Sequence, residues 1–244
     1  MKIELSELDR LRFGVATAKA KIEDGDTVDE LLSQAQAIGT ELLIVRLPTN
    51  HIVLAQELEK KGAFLTDTLV YYQKKKIDNY EIELPDGYVM CDAEIEDAAQ
   101  VEKVAAESFK GYFGHYHADP YLRQEDCDDV YSSWAKNSCK REALADGAVL
   151  IKKGSEIAAF ATLKKINIVD FEGVLFGVAP LHQGKGMHLN LMKLSVNWGQ
   201  RHNLRRLLTS TQINNVTVQK NWCRIGMEPL NSFYTFHLWM NKQS

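Results

Sequence analysis

The chain has 244 residues, 45% apolar and 25% charged, a globular profile long enough for one large domain or two small ones. Its net charge of −4 and pI near 6.0 argue against non-specific nucleic-acid binding, and no apolar run reaches the length of a membrane span. Met1-Lys2-Ile3-Glu4-Leu5-Ser6-Glu7 alternates charged and apolar residues, unlike a signal peptide; Cys91, Cys127, Cys139 and Cys223 form no C-x-x-C pair, so reduced thiols and a cytoplasmic setting are expected.

In chain order, an amphipathic helix is predicted over Val28–Ala37. A connector follows in Lys74-Lys75-Lys76 and Leu84-Pro85-Asp86-Gly87, where lysines run into a turn signal. Beyond it, helix and strand patterns alternate. A helix is predicted over 93–109, opened by Glu94, Glu96 and Asp97, then an aromatic loop over 110–126 and a helix over 129–137. Strands follow over 148–152, 157–164 and 174–178, a helix over Met187–Arg201, a strand over 204–210, a helix over 215–224 and a strand over 233–240.

The most informative stretch is Val178-Ala179-Pro180-Leu181-His182-Gln183-Gly184-Lys185-Gly186-Met187-His188. An apolar strand ends in a proline, a loop with two glycines follows, and a long helix begins. The first N–H groups of a helix lack internal partners and its dipole favours negative charge, so this arrangement makes an anion site from backbone. The loop has neither the GK[ST] of a P-loop nor G-x-G-x-x-G. Further on, Asn215, Val218, Trp222, Gly226 and Met227 frame a helix with an Asn cap and a C-terminal glycine.

Together these residues resemble the two signature motifs of the GCN5-related N-acetyltransferases. Val178, Pro180, Gln183 and Gly186 match the acyl-CoA loop, and the Asn215-to-Met227 set keeps every spacing of the second motif. Two positions depart: His188 stands where a small residue is usual, and Trp222 where the family carries tyrosine. The resemblance implies an α/β (α+β) fold, a mixed sheet whose strands splay beside the loop, flanked by helices. It implies acetyl-CoA, or another acyl-CoA, as co-substrate. The backbone of Gln183, Gly184, Lys185, Gly186, Met187 and His188 would hold the pyrophosphate. Gly177 and Val178 would meet the pantetheine and thioester, with Asn215 beside them. Lys185 is either an added charge or a solvated lysine. Trp222 replaces a proton donor with an indole N–H, which donates but is no usable acid near neutral pH, so it either donates to sulfur or fills core. Glu172 is the candidate general base, or else an exposed strand carboxylate.

The loop Phe109-Lys110-Gly111-Tyr112-Phe113-Gly114-His115-Tyr116-His117-Ala118-Asp119-Pro120-Tyr121 concentrates aromatics and histidines. With Tyr131 and Trp134 on the following helix it resembles nucleotide-amino-sugar acetyltransferases of the TDP-fucosamine acetyltransferase type. That resemblance implies His115, Tyr116, His117, Asp119, Tyr131 and Trp134 as acceptor-binding residues. His115-x-His117-x-Asp119 also imitates a metal site, but no further ligand completes it and no metal is expected.

The N-terminal part echoes the C-terminal one. At an offset of 214 − 50 = 164, Asn50 falls on Asn214, Gly62 on Gly226, Leu43-Ile44 on Leu207-Leu208, Leu58 on Trp222, and residues 68–72 on 232–236. This suggests a degenerate copy of the same unit over residues 1–80, and an acyl-CoA-binding domain over 86–244. The first copy has only Asp24-Gly25-Asp26-Thr27 where the glycine loop would be, so it is not expected to bind the cofactor. The leading expectation is an N-acyltransferase acting on a small-molecule amine, with no nucleic-acid or membrane partner and a homodimer left open. An amino acid, peptide or polyamine acceptor, or a non-catalytic CoA-binding protein, are the alternatives.

Overall fold

The computed structural model describes residues 1–139 and 145–241. In order they form β1 (Lys2–Leu5), α1 (Glu7–Phe13), β2 (Thr17–Lys21), α2 (Val28–Ala37), β3 (Leu42–Pro48), α3 (Ile52–Lys60), β4 (Phe64–Lys74) and β5 (Tyr88–Asp92). Then come α4 (Ala98–Ser108), α5 (Gln124–Cys139), β6 (Gly147–Lys153), β7 (Glu156–Lys165), β8 (Asp170–Val178), α6 (Met187–Arg201), β9 (Arg206–Gln212), α7 (Val216–Arg224) and β10 (Glu228–Trp239). The described chain divides into two compact units: unit 1 comprises 1–70, 113–127 and the segment from Asn231, and unit 2 comprises Tyr71–Tyr112 and Asp128–Leu230.

Unit 1 orders its strands β1-β2-β3-β10-β4, with β2 and β3 parallel and β10 antiparallel to β3. The sequence Thr17-Ala18-Lys19-Ala20-Lys21 alternates, burying Ala18 and Ala20 and exposing Lys19 and Lys21, because successive strand side chains point to opposite faces. On the apolar face, Leu31 and Ala35 of α2 and Ala55 and Leu58 of α3 pack with Leu43, Val45, Leu47, Phe236 and Leu238. Thr27 caps α2 by accepting from the Glu30 amide at 3.3 Å.

Unit 2 orders its strands β9-β8-β7-β6-β5; β8 and β9 are parallel and the other pairs antiparallel. β6 and β7 are almost continuously apolar because both faces are covered. Val101, Val104 and Ala105 of α4 and Ala135 of α5 pack on Leu150, Ile157, Phe160 and Leu175, while Trp198 of α6 lies against Phe171. Phe171 and Leu175 are four residues apart on β8 and would share a face in a regular strand. A bulge separates them: Leu175 pairs with Thr162 and Gly173 with Leu163, leaving Val174 unmatched. The Thr162 hydroxyl accepts from the Leu175 amide at 3.1 Å and holds the bulge.

Mixed α/β architecture is therefore as expected, and α2 and α6 run over the predicted residues. Four boundaries differ by four residues or more. α4 begins at Ala98, not 93, because β5 runs to Asp92 and Ile95–Asp97 form a separate 3₁₀ turn. α5 begins at Gln124, not 129, because Gln124-Glu125-Asp126 carry no apolar period but suit a helix N-terminus. β8 begins at Asp170, not 174, where a carboxylate pairs with Arg206 inside the ladder. β10 begins at Glu228, not 233, through an exposed stretch containing a proline. Among the described residues, no helix is long and apolar enough to cross a membrane.

A Cβ at Gly199 of α6 would come 2.2 Å from Phe171 Cζ, so Gly199→Ala should destabilise the protein by about 1–3 kcal/mol, read as a lower denaturation midpoint with unchanged slope.

Candidate functional site

β8 and β9 part company inside unit 2. Their ladder runs from Asp170 opposite Arg206 to Gly173 opposite Thr209 and stops, although β8 continues to Val178 and β9 to Gln212. The base is clamped. Arg206 donates twice to Asp170, at 2.8 and 2.6 Å, and the Thr209 hydroxyl donates to the Gly173 carbonyl at 2.9 Å. The expected splay is this opening, and the upper half of β8, with Gly177 and Val178, forms one wall without a β9 partner.

The glycine loop closes over its top. Pro180–His182 makes a single 3₁₀ turn, Gly184 and Gly186 both adopt φ of 75°, a left-handed conformation that suits glycine, and α6 starts at Met187. The His182 and Gln183 amides bond back into the turn, and the Asn190 amide reaches the Gly186 carbonyl at 3.1 Å. Between them, the amides of Gly184, Lys185, Gly186, Met187, His188 and Leu189 donate to no backbone carbonyl of the described residues. Six open N–H groups at a helix N-terminus form an anion cradle. Lys185 does not point into it: its ammonium donates to the Leu181 carbonyl at 2.9 Å and lies 3.5 Å from the Tyr88 hydroxyl, which meets His182 Nδ1 at 2.8 Å. The Gln183 amide side chain donates to the Val178 carbonyl at 3.2 Å and ties the loop to β8.

His188 turns inward. Its ring lies 5.7 Å from that of Phe176 on β8, and its Nδ1 is 3.4 Å from Asn221 Nδ2 on α7. Burial pushes the imidazole down to about 4, so it is neutral near pH 7. Asn215 caps α7, accepting from the Val218 amide at 3.4 Å and donating to Thr211 at 3.1 Å. Trp222 is 1% exposed, packs against Tyr72 at 5.2 Å, and its Nε1 has no hydrogen-bond partner among the described residues. Glu172 sits half-buried on β8 opposite Lys164; burial raises its carboxyl above the ordinary range and Lys164 opposes this.

The aromatic loop is not an open platform. His115, Tyr116, His117 and Asp119 are all buried, in unit 1. Asp119 accepts from His237 Nδ1 at 2.7 Å, Trp239 Nε1 at 3.0 Å and the Tyr121 amide at 2.9 Å; His237 Nε2 meets His115 Nδ1 at 2.9 Å. The Tyr116 hydroxyl donates to Asp9, and His117 Nδ1 accepts from the Gly114 amide. Tyr131 and Trp134 are in unit 2, where Tyr131 stacks on Phe109 at 4.9 Å. Among the described residues, no three His, Cys, Asp or Glu side chains are grouped to hold a metal. Sequence reading missed Tyr72, Asn221 and His237. Each sits in an unremarkable strand or helix pattern, and only the folded chain places it beside a candidate residue.

No protein-family model matches the chain. The fold is that of the GCN5-related N-acetyltransferases. Such an enzyme from Sphaerobacter thermophilus superposes with a TM-score of 0.60 at 11% identity, over 87% of this chain and 65% of its own, so this chain spans just under two thirds of its length. A tandem GNAT protein from the clavulanic acid biosynthesis pathway gives 0.63 at 13% identity, over 95% and 77% of the two chains. A glucosamine N-acetyltransferase region of a fungal multi-domain β-N-acetylglucosaminidase gives 0.61 at 10%, over 97% and 31%. In sequence, the chain is 21% identical over 208 residues to the spore coat polysaccharide biosynthesis protein SpsD of Bacillus subtilis, 84% of this chain and 69% of that one.

His188 ties the site to stability. Its folded pKa of about 4 lies below the ordinary 6.5, so between these values the unfolded chain holds more protons. Its contribution is complete above pH 6.5 and falls away toward pH 4, by on the order of 2–3 kcal/mol. In urea titrations from pH 7 to 4, His188→Gln should flatten that part of the profile.

Proposed function

We propose that the chain is an acyl-CoA-dependent N-acetyltransferase whose acceptor is the amine of a small molecule, an amino sugar linked to a nucleotide. The observation that carries this reading is the junction of an opened β8–β9 pair with a loop whose six amides meet no backbone carbonyl among the described residues. The residues fit the co-substrate: the amides of residues 184–189 would take the pyrophosphate, and the free edge of β8 at Gly177 and Val178 the pantetheine arm. Acetyl-CoA supplies the activated acyl group. The Trp222 indole N–H, buried and without a partner, would donate to the thioester sulfur. Glu172, its carboxyl raised by burial, would be the base that takes a proton from the attacking amine. The amino-sugar class is supported by the polysaccharide-biosynthesis relative and the glucosamine-modifying neighbour.

The element match at an offset of 164 supports reading residues 1–80 as a degenerate copy beside a CoA-binding domain over 86–244. β3 plus 164 is β9 and α3 plus 164 is α7, residue for residue. In that copy the β2–β3 ladder runs the whole of β2, so no fork opens, and the connecting loop carries Glu23, Asp24 and Asp26, which repel an anion. A second reading, a non-catalytic CoA sensor, is favoured by His188 bridging Phe176 and Asn221 within the site.

Acetyl-CoA at 100 times its Kd should stabilise the protein by about 2.7 kcal/mol, seen as a rise in Tm. Gly186→Asp keeps a residue tolerant of positive φ and adds a carboxylate to the cradle; it should abolish that rise while moving the ligand-free Tm little. Mass spectrometry of nucleotide amino sugars incubated with acetyl-CoA tests the acceptor. A product only with amino acids or polyamines rejects the sugar, and binding with no product from any amine leaves the sensor.

A further inference from the structure

The cradle in unit 2 offers open amides, but the loop's own cation is turned away from it, since Lys185 donates back to the Leu181 carbonyl. Another polar side chain leans toward it. His188 is the second residue of α6, and side chains on a helix tilt toward its N-terminus, here toward the cradle. The acyl-CoA loop that this segment resembles carries a small residue at that position, so the backbone turn does not call for a histidine. The ring is nevertheless built in. Phe176 of β8 lies 5.7 Å from it, and α7 meets its Nδ1 through Asn221.

Two contacts fix where its proton sits. Arg224 donates to Asn221 Oδ1 at 3.0 Å, which leaves Asn221 Nδ2 as the atom facing His188, at 3.4 Å. An amide nitrogen only donates, so His188 Nδ1 accepts. The neutral ring then carries its proton on Nε2, and that N–H meets no acceptor among the described residues. The side chain is half-buried, not sealed in the core. Its burial, which pushes the imidazole down to about 4, keeps this neutral form near pH 7.

We propose that His188 is a seventh donor of the anion cradle, its Nε2–H bonding a diphosphate oxygen of the co-substrate, and that Asn221 is a positioning residue that holds the ring in the donating tautomer. This rests on the acyl-CoA reading above. A neutral donor suits the place. The open amides bind an anion through dipoles, and one more N–H extends that row. An imidazolium there would be costly to bury and would stand beside the positive end of α6.

Calorimetry on the intact chain with CoA and with ADP, which share the diphosphate, tests this. His188→Leu keeps an apolar side chain against Phe176 and removes the donor, so it should weaken both ligands about 10-fold. Gln carries its amide nitrogen close to where imidazole carries Nε2, and His188→Gln should recover most of that loss. Asn221→Leu should weaken binding in the wild-type background but not in His188→Leu, a non-additivity that a merely structural role would not give. In ¹⁵N spectra the free protein should show His188 protonated at Nε2 and bare at Nδ1. His188→Leu binding both ligands as well as the wild type, or more tightly because the ring had been in the way, overturns the proposal and leaves acyl transfer standing. A loss confined to CoA overturns it too, because the ring then meets another part of the co-substrate. A wild type that binds neither CoA nor ADP overturns the acyl-CoA reading itself.

Discussion

The point at which β8 and β9 stop pairing governs the rest of the site. A parallel pair needs a crossover, and here the crossover is the loop and α6. That connection brings the positive end of α6 to the carboxyl end of β8, where an open α/β sheet offers a ligand crevice. If the ladder continued past Gly173 and Thr209, the amides of the loop would face a closed strand edge. It ends because the base is over-determined and the upper half of β8 is re-aimed. Arg206 and Thr209 clamp the first four pairs, and the bulge at Val174, held by Thr162, shifts the following residues onto the other face.

On the proposed reading of an internal repeat, the two copies share a backbone plan turned to opposite electrostatics. β3 and α3 repeat β9 and α7, and Gly62 and Gly226 end both helices at positive φ, 88° and 74°. The differences lie in the connection before the long helix. In the first copy Thr27 supplies its own side chain to the helix, and Asp26 pairs with the N-terminal ammonium at 3.0 Å. A helix start already satisfied by its own cap, preceded by three carboxylates, has neither the open donors nor the potential to hold an anion. In the second copy the residue before the helix is Gly186, which has no side chain to fill that role. On the proposed reading, this one capping position separates a packing helix from an anion-binding one.

Much of this was legible in the sequence because the signals are local. The Asn215 cap, the C-terminal glycine Gly226 and the period of α6 each depend on residues within a few positions. The opening of the sheet was expected only through resemblance; its cause, the Val174 bulge, needs the register with β7. The start of β8 was hidden because Asp170 reads as a turn residue until Arg206, 36 positions on, neutralises it. The inward turn of His188 depends on Asn221, and the Tyr72–Trp222 pair joins residues 150 apart, with nothing in either local pattern to announce it. Where contacts are long-range and single, composition and period carry no trace of them.

The aromatic loop shows the opposite hazard, a dense local signal whose meaning is set elsewhere. Asp119 is fully buried and a bare carboxylate there would be very costly; three donors, from His237, Trp239 and Tyr121, make it tolerable. Between His237 Nε2 and His115 Nδ1 one nitrogen donates and the other accepts, which couples the two rings through a single proton. Burial, then the charge of Arg46, hold His115 well below its usual pKa, in keeping with a neutral ring. His115 and Asp119, which look like part of an acceptor platform or a metal set in the sequence, therefore belong to a buried hydrogen-bonded chain that runs through His237 and joins the 113–127 segment to β10. Burying one carboxylate accounts for the donors gathered around Asp119.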